Sequence, residues 1–280
     1  MGVREIQAKS ILQRSGIPSV DYAINPYTGC VHGCVYCYAR FMKRFTDHPE
    51  PWGAFLDAKI NGPELLARQL SRRRKPLRER VFLSSVTDPY PPPEKNFELT
   101  RRVLEVLAQY DVPVSIRTKS DMVLRDADFL ARFSDAEVGI SLGISDEGWA
   151  QVLEPRAAPP SRRIAALRAL RERGIKTSAF VSPYIPGVSG IRRTVEALAG
   201  AAGAFGVEAI NTNAGTWADT LAVIARRDPA LAKESNRLAN DAKYWRALEA
   251  ETRRLAARAG MELTGFFHHR DVAGGIKPVE

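Results

Sequence analysis

The sequence predicts an α/β fold, an open or partial barrel built from about six strand–helix units. Three observations carry that prediction. Short apolar runs alternate with helical patterns along most of the 280 residues. The intervals between runs are long enough for right-handed helical crossovers between parallel strands. Polar and unusual residues gather just after the apolar runs, where the site of a parallel α/β fold lies.

The elements follow in order. Residues 20–24 read as the first strand, ending at Asn25 and a cysteine-bearing loop. Residues 61–74 read as a helix, with Pro63 near its start, where a missing N–H costs little. Residues 80–85 form the second strand, followed by Ser85, Val86, Thr87 and Asp88. Residues 98–110 carry leucine and valine at helical spacing. The third strand is 114–118, followed by Lys119; a short helix spans 126–133. The fourth strand is 138–142, containing Ser141. Residues 161–173 are a helix that Gly174 stops. The fifth strand, 176–181, leads to Ser182, and a helix at 191–202 follows. The sixth strand is 207–212, ending near Asn211 and Asn213. A long helical region at 229–259 and an extended segment at 261–267 complete the chain. The expected organisation is a core at 1–215 with a helical extension at 216–280 packed on it, a single domain overall.

Composition excludes several classes. Hydrophobic residues are 45% and charged residues 26%, the balance of a globular chain rather than a disordered one. No run approaches the roughly 18–20 apolar residues of a membrane span. The first residues lack the apolar stretch of a secretory signal, so a cytoplasmic location is expected. Lysine and arginine exceed aspartate and glutamate by nine (41 against 32), which favours polyanionic partners without specifying one. The basic run at 72–75 reads first as the solvated end of a helix.

The three cysteines are the sharpest signal. Cys30, Cys34 and Cys37 lie in INPYTGCVHGCVYCYAR at spacing C-x3-C-x2-C, and the rest of the chain has none. An odd count this tightly spaced excludes a secreted disulfide framework. Three thiolates can hold three irons of a cubane cluster and leave the fourth iron open. Zinc is the alternative, with His32 as a fourth ligand by composition. The alternative function is a zinc- or cluster-containing nucleic-acid-binding module that uses its cysteines only structurally.

This motif after a first strand, in a chain rich in βα units, resembles the radical S-adenosylmethionine superfamily. The segments NPYTGC, CVYCYAR, SSVTDPYPPPE, TKS, LEP and LRERGIKTSAFVSPYIPG resemble its spore photoproduct lyase-like branch. The resemblance implies a partial (β/α)6 barrel of the radical SAM type with a C-terminal helical extension. It implies a [4Fe-4S] cluster on Cys30, Cys34 and Cys37, and S-adenosyl-L-methionine chelated to the open iron. It also implies an external one-electron reductant of the flavodoxin or ferredoxin type, and cleavage of the cofactor to a 5′-deoxyadenosyl radical that abstracts a substrate hydrogen. The substrate stays open between a nucleic-acid lesion, with DNA repair as the candidate process, and a small metabolite or other macromolecule; no membrane partner is expected.

By the same resemblance, Tyr36 and Tyr38 match tyrosines flanking the third cysteine, and Lys119 a lysine that contacts the cofactor. Tyr38 is the candidate radical or hydrogen relay, with packing as its other reading, and Tyr36 is placed near the adenine. Ser141 occupies a matching serine. Ser85 stands where the lyases carry a hydrogen-donating cysteine, and a serine O–H is a far poorer hydrogen-atom donor than a thiol. Thr87 and Asp88 are candidates for the cofactor's amine, Lys119 for its carboxylate, Ser141 for its carboxylate or ribose, and Glu154 for its ribose. Asn211, Asn213 and Trp217 are candidates for the substrate end, whereas His268 and His269 read as partly exposed residues late in the chain.

Overall fold

The computed structural model describes residues 2–17 and 20–269. The described residues form two compact units: 2–17, 20–33, 39–139 and 169–176 in the first, and 34–38, 140–168 and 177–269 in the second.

The first unit holds β1 (Gly2–Ile6), β2 (Leu12–Arg14), β3 (Tyr22–Ile24), β4 (Tyr27–Thr28), β5 (Phe55–Lys59), α1 (Gly62–Ser71), β6 (Val81–Leu83), α2 (Glu94–Phe97), α3 (Leu99–Gln109), β7 (Val114–Thr118), α4 (Ala127–Leu130) and most of β8 (Ala136–Ser141). Its main sheet has the order β2-β3-β6-β7-β8, with β3, β6 and β7 parallel and β2 an antiparallel edge. Ile24, Leu83, Ile116 and Val138 from the strands meet Leu66, Leu104 and Leu107 from the helices in one core. Burying such side chains contributes roughly 1.5–3 kcal/mol each. β7 shows the reason for its own placement, since Val114, Ile116 and Thr118 point inward on alternate residues. A second, small sheet of order β1-β5-β4 was not read from the sequence.

The second unit holds α5 (Glu147–Leu153), α6 (Pro160–Glu172), β9 (Lys176–Tyr184), α7 (Ile191–Leu198), β10 (Ala204–Ala209), α8 (Thr216–Arg227), α9 (Pro229–Ala239), α10 (Ala242–Arg258) and β11 (Glu262–Phe267). The Leu142 N–H, just past β8, donates to Phe180 O of β9 at 2.8 Å, and β9, β10 and β11 pair parallel. Val181, Phe205 and Val207 pack under Val195, Leu198, Ile224, Trp245, Leu248 and Leu255.

Three expectations are corrected here. The sixth strand lies at Ala204–Ala209, about three residues earlier than read. The long helical region is two helices, because Asp241 leaves the helical path and its side chain accepts from Lys243 N at 2.8 Å, capping α10. Helix α5 also lies outside the segments read as helical, whereas α8 falls within the helical extension expected at 216–280. The extended segment at 261–267 is β11, so the residues after 216 supply a sheet strand as well as helices. Among the described residues, no helix is long and apolar enough to cross a membrane.

Candidate active site

The cysteine segment leaves β4 through Gly29, whose φ of +85° belongs to glycine; a Cβ there would meet Phe55 O at 2.7 Å. None of the three cysteines is in a disulfide; Cys30 and Cys34 are buried and Cys37 is half-buried. Three thiols within eight residues, two of them buried, are a donor set that fits an iron–sulfur cluster.

Each unit anchors its own part of this segment with a tyrosine, a buried glutamate and an arginine. In the first unit the Tyr27 hydroxyl donates to Glu94 Oε2. Glu94 has no exposed surface. It also accepts from Thr100 N at 3.1 Å and from Arg125 Nη2 at 2.7 Å. In the second unit the Tyr36 hydroxyl donates to Glu154 Oε1, and Arg163 Nη2 donates to Glu154 Oε2. Burial first, and the neighbouring carboxylate second, push both phenols above the ordinary tyrosine range, so both remain protonated donors.

Asp88 is the corresponding hub after β6. Its Oδ1 accepts from Thr118 Oγ1 at 2.7 Å and Tyr90 N at 2.8 Å, and its Oδ2 accepts from Lys119 N at 2.8 Å. His32 Nε2, inside the cysteine segment, lies 3.3 Å from Oδ2. Burial alone would raise this carboxyl. The His32 imidazole and the hydrogen bonds from Thr118 and Lys119 outweigh burial and hold it at about 2.

The candidate residues from the sequence therefore fall into two groups. In the first unit, Thr87 Oγ1 donates to Gly29 O, Asp88 grips the Lys119 backbone, and Ser85 Oγ accepts from Asn25 Nδ2 at 3.2 Å. In the second, Tyr36 and Glu154 are joined, and Arg163 Nη1 donates to Ser141 O at 2.9 Å. Tyr38 opens a short 3-10 helix, Tyr38–Phe45, and is 63% exposed. Trp217 is buried, its indole N–H donating to Asn236 Oδ1 at 3.0 Å.

Arg163 and Glu94 were missed by sequence reasoning. Arg163 carries a usable signal: it stands three, four and seven residues before Ala166, Leu167 and Leu170, on the apolar stripe of α6. A cation in that stripe, fully buried, needs a buried anion. Glu94 sits among prolines in PPPEK, where nothing in the sequence distinguishes it from a surface carboxylate.

Comparison with known proteins places the chain. The pattern that defines the Radical SAM superfamily matches residues 24–198. An uncharacterized protein of Methanocaldococcus jannaschii is 40% identical over 182 residues, 65% of this chain and 67% of that protein. A radical SAM Nα-GlyT isomerase of Pseudomonas phage M6 is 28% identical over 180 residues, 62% of this chain but 36% of that protein. Among solved structures, spore photoproduct lyase complexed with dinucleoside spore photoproduct matches with a TM-score of 0.63 over 94% of this chain and 82% of that one, at 18% identity. That likeness is one of fold: a parallel α/β sheet of the partial-barrel type followed by C-terminal helices. The matched span includes the cysteine segment and most of the strands, and the family brings with it a [4Fe-4S] cluster and S-adenosylmethionine: this chain belongs to the radical SAM superfamily and is a radical SAM enzyme.

Proposed function

We propose that the protein binds a [4Fe-4S] cluster through Cys30, Cys34 and Cys37 and uses S-adenosylmethionine to take a hydrogen atom from a nucleic-acid substrate. The observation that carries this reading is the set of three buried or half-buried thiols, none in a disulfide. When bound, cluster and cofactor supply a one-electron cleavage of the cofactor that yields a 5′-deoxyadenosyl radical. The electron comes from an external carrier of the flavodoxin or ferredoxin type.

The chain's own residues hold the site in place. Asp88 fixes the backbone of Lys119 at the end of β7, which sets the root of a side chain suited to the cofactor's carboxylate. Ser141 and Thr87 are the accompanying polar contacts for the carboxylate and the amine. Asp88 and Glu154 have their carboxylate oxygens engaged by the chain itself, which supports an anchoring role for both rather than direct contact with amine or ribose. Tyr36 belongs to the same anchor as Glu154. Ser85 stands in place of a thiol donor, and Tyr38 is the replacement the chain offers, a phenolic O–H being weaker than an alcohol O–H.

Nucleic acid as the substrate class is supported by the net charge of +9 and by the bound dinucleoside in the structurally similar lyase. The test is isotopic. Reconstituted protein, dithionite and S-adenosylmethionine are incubated with a deuterated oligonucleotide, and 5′-deoxyadenosine is weighed by mass spectrometry. Deuterium in that product is the expected result. Unlabelled 5′-deoxyadenosine alone would remove nucleic acid and leave the radical chemistry standing.

A further inference from the structure

The three parallel strands of the second unit have two unlike faces. Ala179, Val181, Phe205, Val207 and Phe266 point into the core beneath the helices. The other face carries Phe180 and Ser182 on β9, Gly206 and Glu208 on β10, and Gly265 and Phe267 on β11. Register places Gly206 beside both Phe180 and Gly265, and Glu208 beside Phe267. Both aromatic rings lie down across glycines instead of standing off the sheet. A Cβ on Gly265 would meet the Phe267 ring at 2.6 Å, and a Cβ on Gly206 would meet the Phe180 ring at 3.1 Å. The two rings are 6.1 Å apart, and Phe267 is 42% exposed.

A polar cluster borders the rings at the C-terminal ends of the same strands. Ser182 Oγ donates to Glu208 Oε2, and His269 Nε2 lies 3.1 Å from Glu208 Oε1. Glu208 and His269 keep 29% and 35% of their side chains exposed. The hydrogen bond to Glu208 is the first cause raising the His269 pKa above its ordinary value. Each pairing of β10 also carries a register shift, beside Gly206 on one side and beyond Val207 on the other. Such bulges re-aim side chains near functional sites.

A sheet face with recumbent aromatics is a stacking surface for flat rings, and it is the device by which sheet proteins hold unpaired bases. The carboxylate beside it accepts from Ser182 and faces the His269 imidazole, and a carboxylate's lone pairs can take a further donor from a ring edge. The complement is a planar heterocycle with a donor on one edge. From this geometry we infer that Phe180, Phe267, Glu208 and His269 form a platform that stacks and reads a base of single-stranded or extruded nucleic acid. The platform deepens the substrate reading above and rests on it for the strand as the source of the base. The net charge of +9 supplies the attraction for the phosphates.

The experiment compares a fluorescein-labelled oligothymidylate with an abasic strand of equal length and charge, by anisotropy, on the reconstituted protein. The wild type should bind the base-bearing strand about ten-fold more tightly. Phe267→Ala should lose most of that ratio, and Glu208→Gln, whose lost negative charge favours both strands alike, should lower it. Circular dichroism reports whether each variant folds, and Glu208→Gln decides if Phe267→Ala does not. Equal binding of the two strands by the wild type would overturn the platform, as would an unchanged ratio in both variants. A variant that loses S-adenosylmethionine affinity but keeps the strand ratio would also overturn it, assigning the rings to the cofactor's adenine. Release of 5′-deoxyadenosine is measured on the same preparations. If it persists while the ratio is absent, the platform falls and the radical reading stands.

Discussion

Replacing Asp88 with asparagine should separate electrostatic anchoring from simple packing at the cysteine segment. The carboxylate is 6% exposed and is held at about 2 against an ordinary value of 3.8. A carboxyl whose folded-state pKa lies below its unfolded value stabilises the fold above the unfolded value and loses that contribution as pH falls toward the folded one. The difference corresponds to about 2.5 kcal/mol at pH 7 and about 1.3 kcal/mol at pH 3. Asparagine keeps one acceptor for Thr118 and Tyr90, but its Nδ2 would face the Lys119 N–H, donor to donor. Asp88→Asn should therefore lower stability at pH 7 by about 2–3 kcal/mol, roughly 5–10 °C in Tm for a chain of this size. Urea titrations of iron-free wild type and variant at pH 7 and pH 3 measure the gap. It should shrink by about half at the lower pH. A gap that is the same at both pH values would refute the electrostatic account and leave shape alone as the cause.

Other outcomes follow from the same contacts. The triple variant Cys30→Ala, Cys34→Ala and Cys37→Ala should fold but retain no iron by colorimetric assay, because the chain has no other thiol. Lys119→Ala should keep its iron yet bind S-adenosylmethionine roughly ten- to a hundred-fold more weakly by calorimetry, the usual loss for one charged hydrogen bond; unchanged affinity removes Lys119 from the site. Glu154→Gln should cost about 3–5 kcal/mol in denaturant titrations, because it strands the buried Arg163 cation without an anion. Dithionite-reduced protein should not repair synthetic dinucleoside spore photoproduct at a lyase's rate, and Ser85→Cys should gain weak repair, both read by chromatography of the thymine products.

Much of this was legible because strands and helices leave periodic traces. Residues 114–118 alternate apolar and polar side chains, and β7 spans those residues. Residues 161–173 repeat apolar positions at helical spacing, and α6 lies one residue earlier. The small sheet was hidden because β1 reads GVREI, with only Val3 and Ile6 apolar, and its partner β5 is five residues amid loops. The sixth strand was displaced because Ile210 extended the apolar run past the true strand end. At the site, the three cysteines stood out by their spacing, and the family resemblance rather than the spacing favoured a cluster over zinc. Glu154 and Asp88 stood out in the sequence as candidates for cofactor contact, but their partners within the chain did not, since Arg163 and Thr118 reach them only through the tertiary fold. His269 read as a tail residue for the same reason, because only the β10–β11 pairing brings it to Glu208.

The most direct test of the central claim is 5′-deoxyadenosine formation by anaerobically reconstituted protein given dithionite and S-adenosylmethionine. The account predicts about four irons per chain, broad brown absorption, and 5′-deoxyadenosine with methionine from the wild type but not from the triple cysteine variant. A fully iron-loaded wild type that releases no 5′-deoxyadenosine, or a cysteine variant that releases as much, would contradict it.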